Sequence, residues 1–362
     1  MSVRVGINGF GRIGRTVFRA AQERRTSDGD TDIEIVAVND VTDAATLAHL
    51  LRRDSVRGRY PGEVEAGDGQ LLVDGRPVTV TAGRVPGELP WADLGVDIVV
   101  EATGRFTAAA DARGHLDAGA RRVLVTAPAA DADLTLVVGV NDDADDGTQE
   151  VVSGASCTTN CVAPMAKVLH DAFGLVTGFM TTVHAYTGDQ RLHDAPHKDP
   201  RRARAAAVNI IPTTTGAARA ATLALPELAG RLDGIAIRVP VVDGSVTDLT
   251  ATLASDVTVA AVNEAFRAAA GGPLGRVLEY TEDPIVSTDV VGSPASCTFD
   301  AAMTKTMGPR TVKILGWYDN EWGYSQRVVD LAGLLSRPCP KNPATARTRA
   351  PACTAPPEGR PS

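Results

Sequence analysis

The 362-residue sequence has few cysteines, no long hydrophobic run and no excess of positive charge. Five cysteines (157, 161, 297, 339 and 353) in a chain of this length exclude a disulfide framework, and a reducing, cytoplasmic compartment is expected. No apolar stretch approaches a membrane span, and the strand-like run from Val3 leaves no apolar core of a signal peptide. Lys and Arg total 36 against 44 Asp and Glu, a formal net charge of -8. That balance argues against a general nucleic-acid or anionic-membrane partner, so neither is expected. Cys157 and Cys161 stand four apart, but no second Cys or His pair follows at zinc spacing, and no metal is expected. What remains, 44% hydrophobic and 22% charged, is ordinary for a soluble chain with two well-developed cores.

Val3, Val5 and Ile7 alternate on one face of a strand, and Gly9-Phe10-Gly11-Arg12-Ile13-Gly14 follows at once. Ile13, Val17, Ala20 and Ala21 then recur as one face of a helix. A second strand over 33–38 ends in Asn39-Asp40, with Asp40 26 positions after Gly14. This strand–turn–helix setting is what the dinucleotide fingerprint requires. Gly9 allows the tight turn, Gly11 lets the backbone approach a pyrophosphate, and Gly14 allows close helix–strand packing. Asp40 suits the adenosine ribose hydroxyls and repels a 2′-phosphate, favouring NAD over NADP. The same residues also fit a tight turn without ligand, with Asp40 capping a helix near Thr42. Short β-branched bursts at 96–100, 122–126 and 134–140 extend the alternation and indicate a parallel sheet flanked by helices.

The hexapeptide Ser156-Cys157-Thr158-Thr159-Asn160-Cys161 sits where a strand-like run (150–154) gives way to helical spacing in Val162, Met165, Ala166, Leu169 and Phe173. A cysteine at a helix N-terminus meets unpaired N–H groups and the positive dipole end, which favour the thiolate. Past this point, strand-like runs at 178–186, 234–239, 246–254 and 311–318 suggest an α+β unit, interrupted by a long polar loop from Thr187 to Asn209. Residues 325–336 read as a closing amphipathic helix, and the Pro-, Ala-, Thr- and Arg-rich stretch from Pro338 as a disordered tail. Of the histidines at 49, 115, 170, 184, 193 and 197, His170 lies about 20 Å down the helix from Cys157, too far to serve it. His49 reads as a packing or surface residue, and His193 and His197 as solvated. His184, in the strand-like Phe179–Tyr186, is held firmly enough to act as a base, but equally fits a hydrogen-bonded structural histidine.

The segments Gly6–Arg15, Ala155–Cys161, Thr182–Thr187, Asn209–Ala218 and Trp317–Ser325 resemble, in order, those of the phosphorylating glyceraldehyde-3-phosphate dehydrogenases. The likeness covers essentially residues 3–336. It implies Cys157 as nucleophile and His184 as base in the NAD-dependent conversion of D-glyceraldehyde 3-phosphate to 1,3-bisphosphoglycerate through a thioester. Thr187 and Arg238 are then implied for the substrate phosphate. Ser156, Thr158, Thr215, Gly216 and a loop arginine, Arg202 in preference to Arg204, are implied for inorganic phosphate. For the cofactor the resemblance adds Arg12 and Ile13 at the pyrophosphate, Arg84 and Thr126 along its length, and Asn320 at the nicotinamide carboxamide.

The implied architecture is α/β. A Rossmann-like NAD-binding domain (1–156) precedes an α+β catalytic domain with a mixed sheet (157–322), and a terminal helix (323–337) packs back on the first, ahead of the tail (338–362). A homotetramer is implied. Three places depart from the family's usual pattern: Gly188 for an asparagine, Ala195 before Pro196 for a leucine, and Val241-Val242-Asp243-Gly244-Ser245 for a frequent Thr-Pro-Asn-Val-Ser. An erythrose-4-phosphate dehydrogenase is the alternative activity, and a non-catalytic binding protein a more distant one.

Overall fold

The computed structural model describes residues 2–27 and 33–336. The expected disordered tail, with Cys339 and Cys353, lies outside the described residues. The chain opens with β1 (Val3–Asn8), α1 (Arg12–Ser27), β2 (Ile33–Asn39) and α2 (Ala44–Arg52). A two-residue ladder of β3 (Arg53–Asp54) and β4 (Gly58–Arg59) leads to the meander β5 (Val64–Gly67), β6 (Gln70–Val73) and β7 (Arg76–Thr81). Then come β8 (Ile98–Glu101), the short helices α3 (Ala109–Ala112) and α4 (Gly114–Asp117), β9 (Arg122–Val125), β10 (Leu134–Thr135) and β11 (Val151–Ser153).

These strands form a nine-stranded sheet in the order β10-β11-β9-β8-β1-β2-β7-β6-β5, parallel from β10 to β7. The parallel strands are apolar nearly throughout because helices cover both faces. β1 pairs with β2 on one side and β8 on the other, so the chain leaves the sheet in opposite directions across β1. Crevices for ligands open at the carboxyl ends of strands at such a switch point.

The second half contains α5 (Cys157–Phe173), β12 (Leu175–Ala185), β13 (Ile211–Thr214), α6 (Ala217–Ala224), β14 (Leu232–Val239), β15 (Ser245–Leu253), α7 (Val259–Ala270), β16 (Leu278–Thr281), β17 (Cys297–Met307), β18 (Thr311–Tyr318) and α8 (Trp322–Leu335). Its seven-stranded sheet, β13-β14-β12-β15-β18-β17-β16, is mixed, with β12–β14 and β16–β17 parallel. The fold is the expected α/β arrangement of a parallel-sheet unit followed by an α+β unit. α5 is buried almost all round because it packs between this sheet and α6 and α7. α8 returns to α1, where Arg24 bonds Gln326 (2.7 Å) and Asp330 (2.6 Å).

The burst at 134–140 is a strand only at Leu134–Thr135. Asn141 accepts from Val137 N and donates to Thr135 O, Asp142 accepts from Gly139 N, and Gly139 has φ +80°. These side chains replace the ladder partners, and the apolar Leu136–Val138 stay buried in a turn. The long strand β17 carried no clear signal, since its outer half (Ala302, Met303, Lys305–Met307) is exposed and breaks the alternation.

A buried charge cluster joins the two halves. Arg57, between β3 and β4, donates Nη2 to Asp243 (3.2 Å) and to Asp319. Arg12, at the start of α1, pairs with Asp54 (2.6 Å) and with Glu321. Burial, with Asp319 and Glu321 nearby, pushes the Asp243 carboxyl up to about 8 in spite of Arg57. Between about pH 4 and about pH 8 the unfolded chain has released this proton while the fold retains it, so Asp243 costs stability as pH rises through that window. Asp243→Asn removes the titration. Thermal melts of the two proteins are expected to diverge, the variant gaining on the parent by at least about 1 kcal/mol from about pH 5 to about pH 8. A difference in Tm that does not change with pH sinks this reading.

Candidate active site

The glycine turn after β1 shows three separate requirements. Gly9 has φ +93°, and a Cβ there would lie 2.6 Å from Thr103 N. At Gly14 a Cβ would meet Gly9 O at 2.1 Å, so the helix could not close on the turn. Around Gly11 nothing lies within 4 Å: that position faces open space, as a backbone that approaches a ligand must. A cleft of about 230 Å³ opens beside it, lined by the ends of β1, β2 and β8 at Asn8, Asp40 and Thr103. This open cradle at the start of α1 fits a pyrophosphate.

Asp40 stands in the cleft wall, with Oδ2 accepting from Phe10 N (2.9 Å) and Oδ1 from Thr42 N (3.1 Å). It does not cap α2; Asp43 does, accepting from Thr46 N. Arg84 is exposed on the rim, and Thr126 donates to Glu101 O (2.9 Å) at the end of β9. Ile13 is packed partly into the core. The Arg12 guanidinium is spent on Asp54 and Glu321, so what its position offers a pyrophosphate is the backbone at the start of α1.

The sequence reading missed the layer beneath this cleft. Trp91 Nε1 donates to His115 Nδ1 (2.9 Å), which leaves the ring proton on Nε2, facing Glu101 Oε2 (3.1 Å). Glu101 also accepts from Asn8 (2.5 Å) and from Thr103 N (2.8 Å). Thus a wholly buried network fixes the ends of β1 and β8. Its one sequence signal is an acidic residue ending an otherwise apolar strand, Ile98-Val99-Val100-Glu101.

Cys157 begins α5, capped by Ser156, whose Oγ accepts from Thr159 N (3.0 Å). The residue before the cap, Ala155, is buried in a left-handed conformation (φ +55°) that costs a non-glycine residue about 1–2 kcal/mol. Its carbonyl is held by the Tyr324 hydroxyl (3.0 Å). Cys157 Sγ lies 3.4 Å from His184 Nε2 on β12. His184 Nδ1 is 2.7 Å from Ala185 O and 2.9 Å from Arg238 Nη1, which also donates to that carbonyl (3.0 Å). Tyr318, another residue the sequence reading missed, packs edge-on to His184 and shares hydrogen bonds with Thr158 and Thr182 (both 2.8 Å).

The helix terminus does not by itself make the thiol acidic. Cys157 keeps some solvent exposure, yet the protein around it pushes the thiol up to about 11, against the pull of Arg238 and the N–H groups of Thr158 and Cys157. Burial, then the charge of Arg238, takes His184 down to about 3. Each group alone is neutral at pH 7, and ionisation of the sulfur requires a partner or substrate that receives its proton.

Around this pair stand the other expected residues. Arg202 is part-buried, donating to Asp189 (2.6 Å) and Thr213 (3.0 Å), and its charge reaches His184; Arg204 is exposed and pairs with Asp194 (2.9 Å). Thr215 and Gly216 precede α6, whose Ala217 carbonyl accepts from Thr159, so the starts of α5 and α6 meet. Thr187 lies two residues past the end of β12. Thr158 is drawn inward to Tyr318, leaving its hydroxyl facing away from solvent. His197, expected in solvent, is instead tied to Asp189 (3.4 Å) and to Asp199 N (2.9 Å), because the loop folds back on itself. Asn320 accepts from Ser245 Oγ (2.7 Å), which in turn accepts from Ala185 N (3.1 Å). Cys161 is buried against Gly316 O, and no group of three or more His, Cys, Asp or Glu among the described residues suits a metal. Nor is any helix among them long and apolar enough to cross a membrane.

A dinucleotide-type cleft joined through Arg12, Glu321, Asn320 and Ser245 to a cysteine–histidine pair is the arrangement of a thiol-dependent dehydrogenase. Residues 3–109 match the family model for the glyceraldehyde 3-phosphate dehydrogenase NAD binding domain, and residues 156–320 that for the C-terminal domain. The chain is 60% identical over 336 residues to glyceraldehyde-3-phosphate dehydrogenase 2 of Streptomyces arenae, covering 92% of this chain and 99% of that one. It is 57% identical over 339 residues (93% and 99%) to glyceraldehyde-3-phosphate dehydrogenase of Mycolicibacterium smegmatis, and 60% over 333 residues (91% and 98%) to that of Streptomyces coelicolor. The chain belongs to the glyceraldehyde-3-phosphate dehydrogenase family.

The glycine turn generates a paired expectation. Gly14→Ala should destabilise the fold by about 3 kcal/mol or more, because the added methyl meets a backbone carbonyl. Gly11→Ala should melt like the parent but bind NAD at least about tenfold more weakly. Equal loss of stability in both variants is the outcome that contradicts the assignment.

Proposed function

We propose that the protein oxidises and phosphorylates D-glyceraldehyde 3-phosphate to 1,3-bisphosphoglycerate with NAD and inorganic phosphate. The observation that carries this is the 3.4 Å Cys157–His184 contact at the start of α5, backed by Arg238. With Nδ1–H donating to Ala185 O, the Nε2 lone pair of His184 faces the thiol. The sulfur adds to the aldehyde carbon as its proton passes to Nε2, and the imidazolium then returns that proton to the new alkoxide, giving a hemithioacetal and freeing Nε2 again. The N–H of Cys157 at the helix start steadies the oxyanion. Removal of the hemithioacetal hydroxyl proton by His184 accompanies oxidation to the thioester; NAD, when bound, supplies the hydride acceptor. Phosphate oxygen then attacks the thioester carbon, the acyl–sulfur bond breaks, and the thiol is regenerated.

Arg238 and Thr187 are assigned to the substrate phosphate, and Arg202, Ser156, Thr215 and Gly216 to the incoming one, where two helix starts and a guanidinium favour an anion. Thr158 has the weakest claim among them because its hydroxyl already serves Tyr318. The assigned cofactor set is Gly9, Gly11, Gly14, Asp40, Arg84, Thr126 and Asn320, with the backbone at Arg12 and Ile13. The functional boundaries follow the sequence, with cofactor binding up to 156, catalysis over 157–322 and the closing helix thereafter. A homotetramer in the cytoplasm is part of the same reading, and sedimentation of the purified protein tests the assembly.

Cys157→Ser should lower kcat by at least about a thousandfold while leaving the Tm and NAD affinity unchanged. His184→Asn should cost about 10²–10⁴-fold. Undiminished turnover of either variant refutes its role. A much higher kcat/KM with erythrose 4-phosphate than with glyceraldehyde 3-phosphate overturns the substrate.

A further inference from the structure

The Val241–Ser245 segment, one of the places where this chain departs from its family's usual pattern, lies directly behind Asn320. Asp243 lies in the loop after β14 and Ser245 opens β15, with Gly244 between them at φ +83°. A side chain at 244 would strike Ser287 O at 2.1 Å, so this loop has one way to run. Ser245 has a single hydroxyl proton. Because its oxygen accepts from Ala185 N, that proton goes to Asn320 Oδ1, which fixes the amide with its oxygen inward and its NH2 group on the other side.

Asp319 holds the other flank of Asn320. Its Oδ1 accepts from Glu321 N (2.9 Å) and Trp322 N (2.6 Å), and its Oδ2 from Gly292 N (2.8 Å). Both flanks, Asp243 and Asp319, are then bridged by one cation, Arg57, from the half of the molecule that carries the dinucleotide cleft. The guanidinium lies over the Trp322 ring at 5.1 Å, and Arg57 N donates to Asp54 Oδ1 (2.8 Å). Without Arg57, the Asp319 carboxylate and the Asp243 carboxyl, both side chains fully shielded from water, would face each other with no guanidinium donor between them.

We propose that Arg57 is a positioning residue for the nicotinamide end of the cofactor, clasping the loops at Asp243 and Asp319 so that Ser245 presents Asn320 in one orientation. This rests on the reading of Asn320 as the carboxamide ligand. Arg57 touches no reacting atom, and its loss loosens the nicotinamide end while the adenosine end, built on Gly11 and Asp40, stays intact.

Calorimetric titration of the full-length protein with NAD and with ADP-ribose, which lacks the nicotinamide, separates the two ends. Loss of one well-aligned hydrogen bond predicts about tenfold weaker NAD binding by Arg57→Met, with ADP-ribose affinity held within about twofold. The double variant Arg57→Met/Asp243→Asn leaves Asp319 facing an amide that cannot ionise. It should recover thermal stability yet keep the NAD defect, which guards against misfolding of the single variant. Equal weakening of both ligands, or no weakening of either, overturns the proposal. So does recovery of NAD affinity in the double variant. Asn320→Ala is measured in parallel. If it binds NAD like the parent, the carboxamide reading itself falls; if it loses NAD selectively and Arg57→Met does not, only the role of Arg57 falls.

Discussion

The structure depends on the short turn between β11 and α5. Gly154 and Ala155 end the last strand of the parallel sheet, and the left-handed Ala155 swings the chain into a helix that belongs to the other sheet. Tyr324 from the closing helix pins that turn. The strain is held where three parts of the molecule meet, and it puts Cys157 within reach of His184 on β12. Straightening the turn would carry the start of α5, with its cap and its sulfur, away from the histidine.

At Cys157 burial and the charge of Arg238 oppose one another and burial prevails, whereas at His184 both disfavour the charged ring. The thiol is raised and the imidazole lowered, with Arg238 beside both. A cationic neighbour helps a thiolate but penalises an imidazolium, so the proposed nucleophile stays protonated until a substrate gives the proton somewhere to go. The anion-binding groups proposed around it are also the groups that tune it.

A second balance lies behind the cofactor side. The acidic groups at 54, 243, 319 and 321 outnumber the guanidinium groups of Arg12 and Arg57, and burial, then the charges of Asp319 and Glu321, raises Asp243. Such a cluster gains little as a glue, since dehydrating the ions offsets their attraction, but it fixes the register between the two halves. The same side chains that span the halves also brace Asn320 and the first turn of α8.

Much of this was legible in the sequence because its signals are local. The glycine spacing of 9, 11 and 14, the strand-like runs at 3–8 and 33–38, the helix start at Cys157 and the family segments identify the fold and the cofactor class and make Cys157 the candidate nucleophile. Local sequence does not carry the distances between segments far apart in the chain. The resemblance pointed to His184, but the 3.4 Å that brings it to the sulfur, the bracing by Tyr318, and the place of His115 and Glu101 under the glycine-turn cleft follow only from which strands become neighbours. Arg57 and Asp243, 186 residues apart, look like unrelated surface charges until the two halves close. The pull of the helix start on the Cys157 thiol is a local property legible in sequence, whereas the burial that opposes it is set by everything that packs around it.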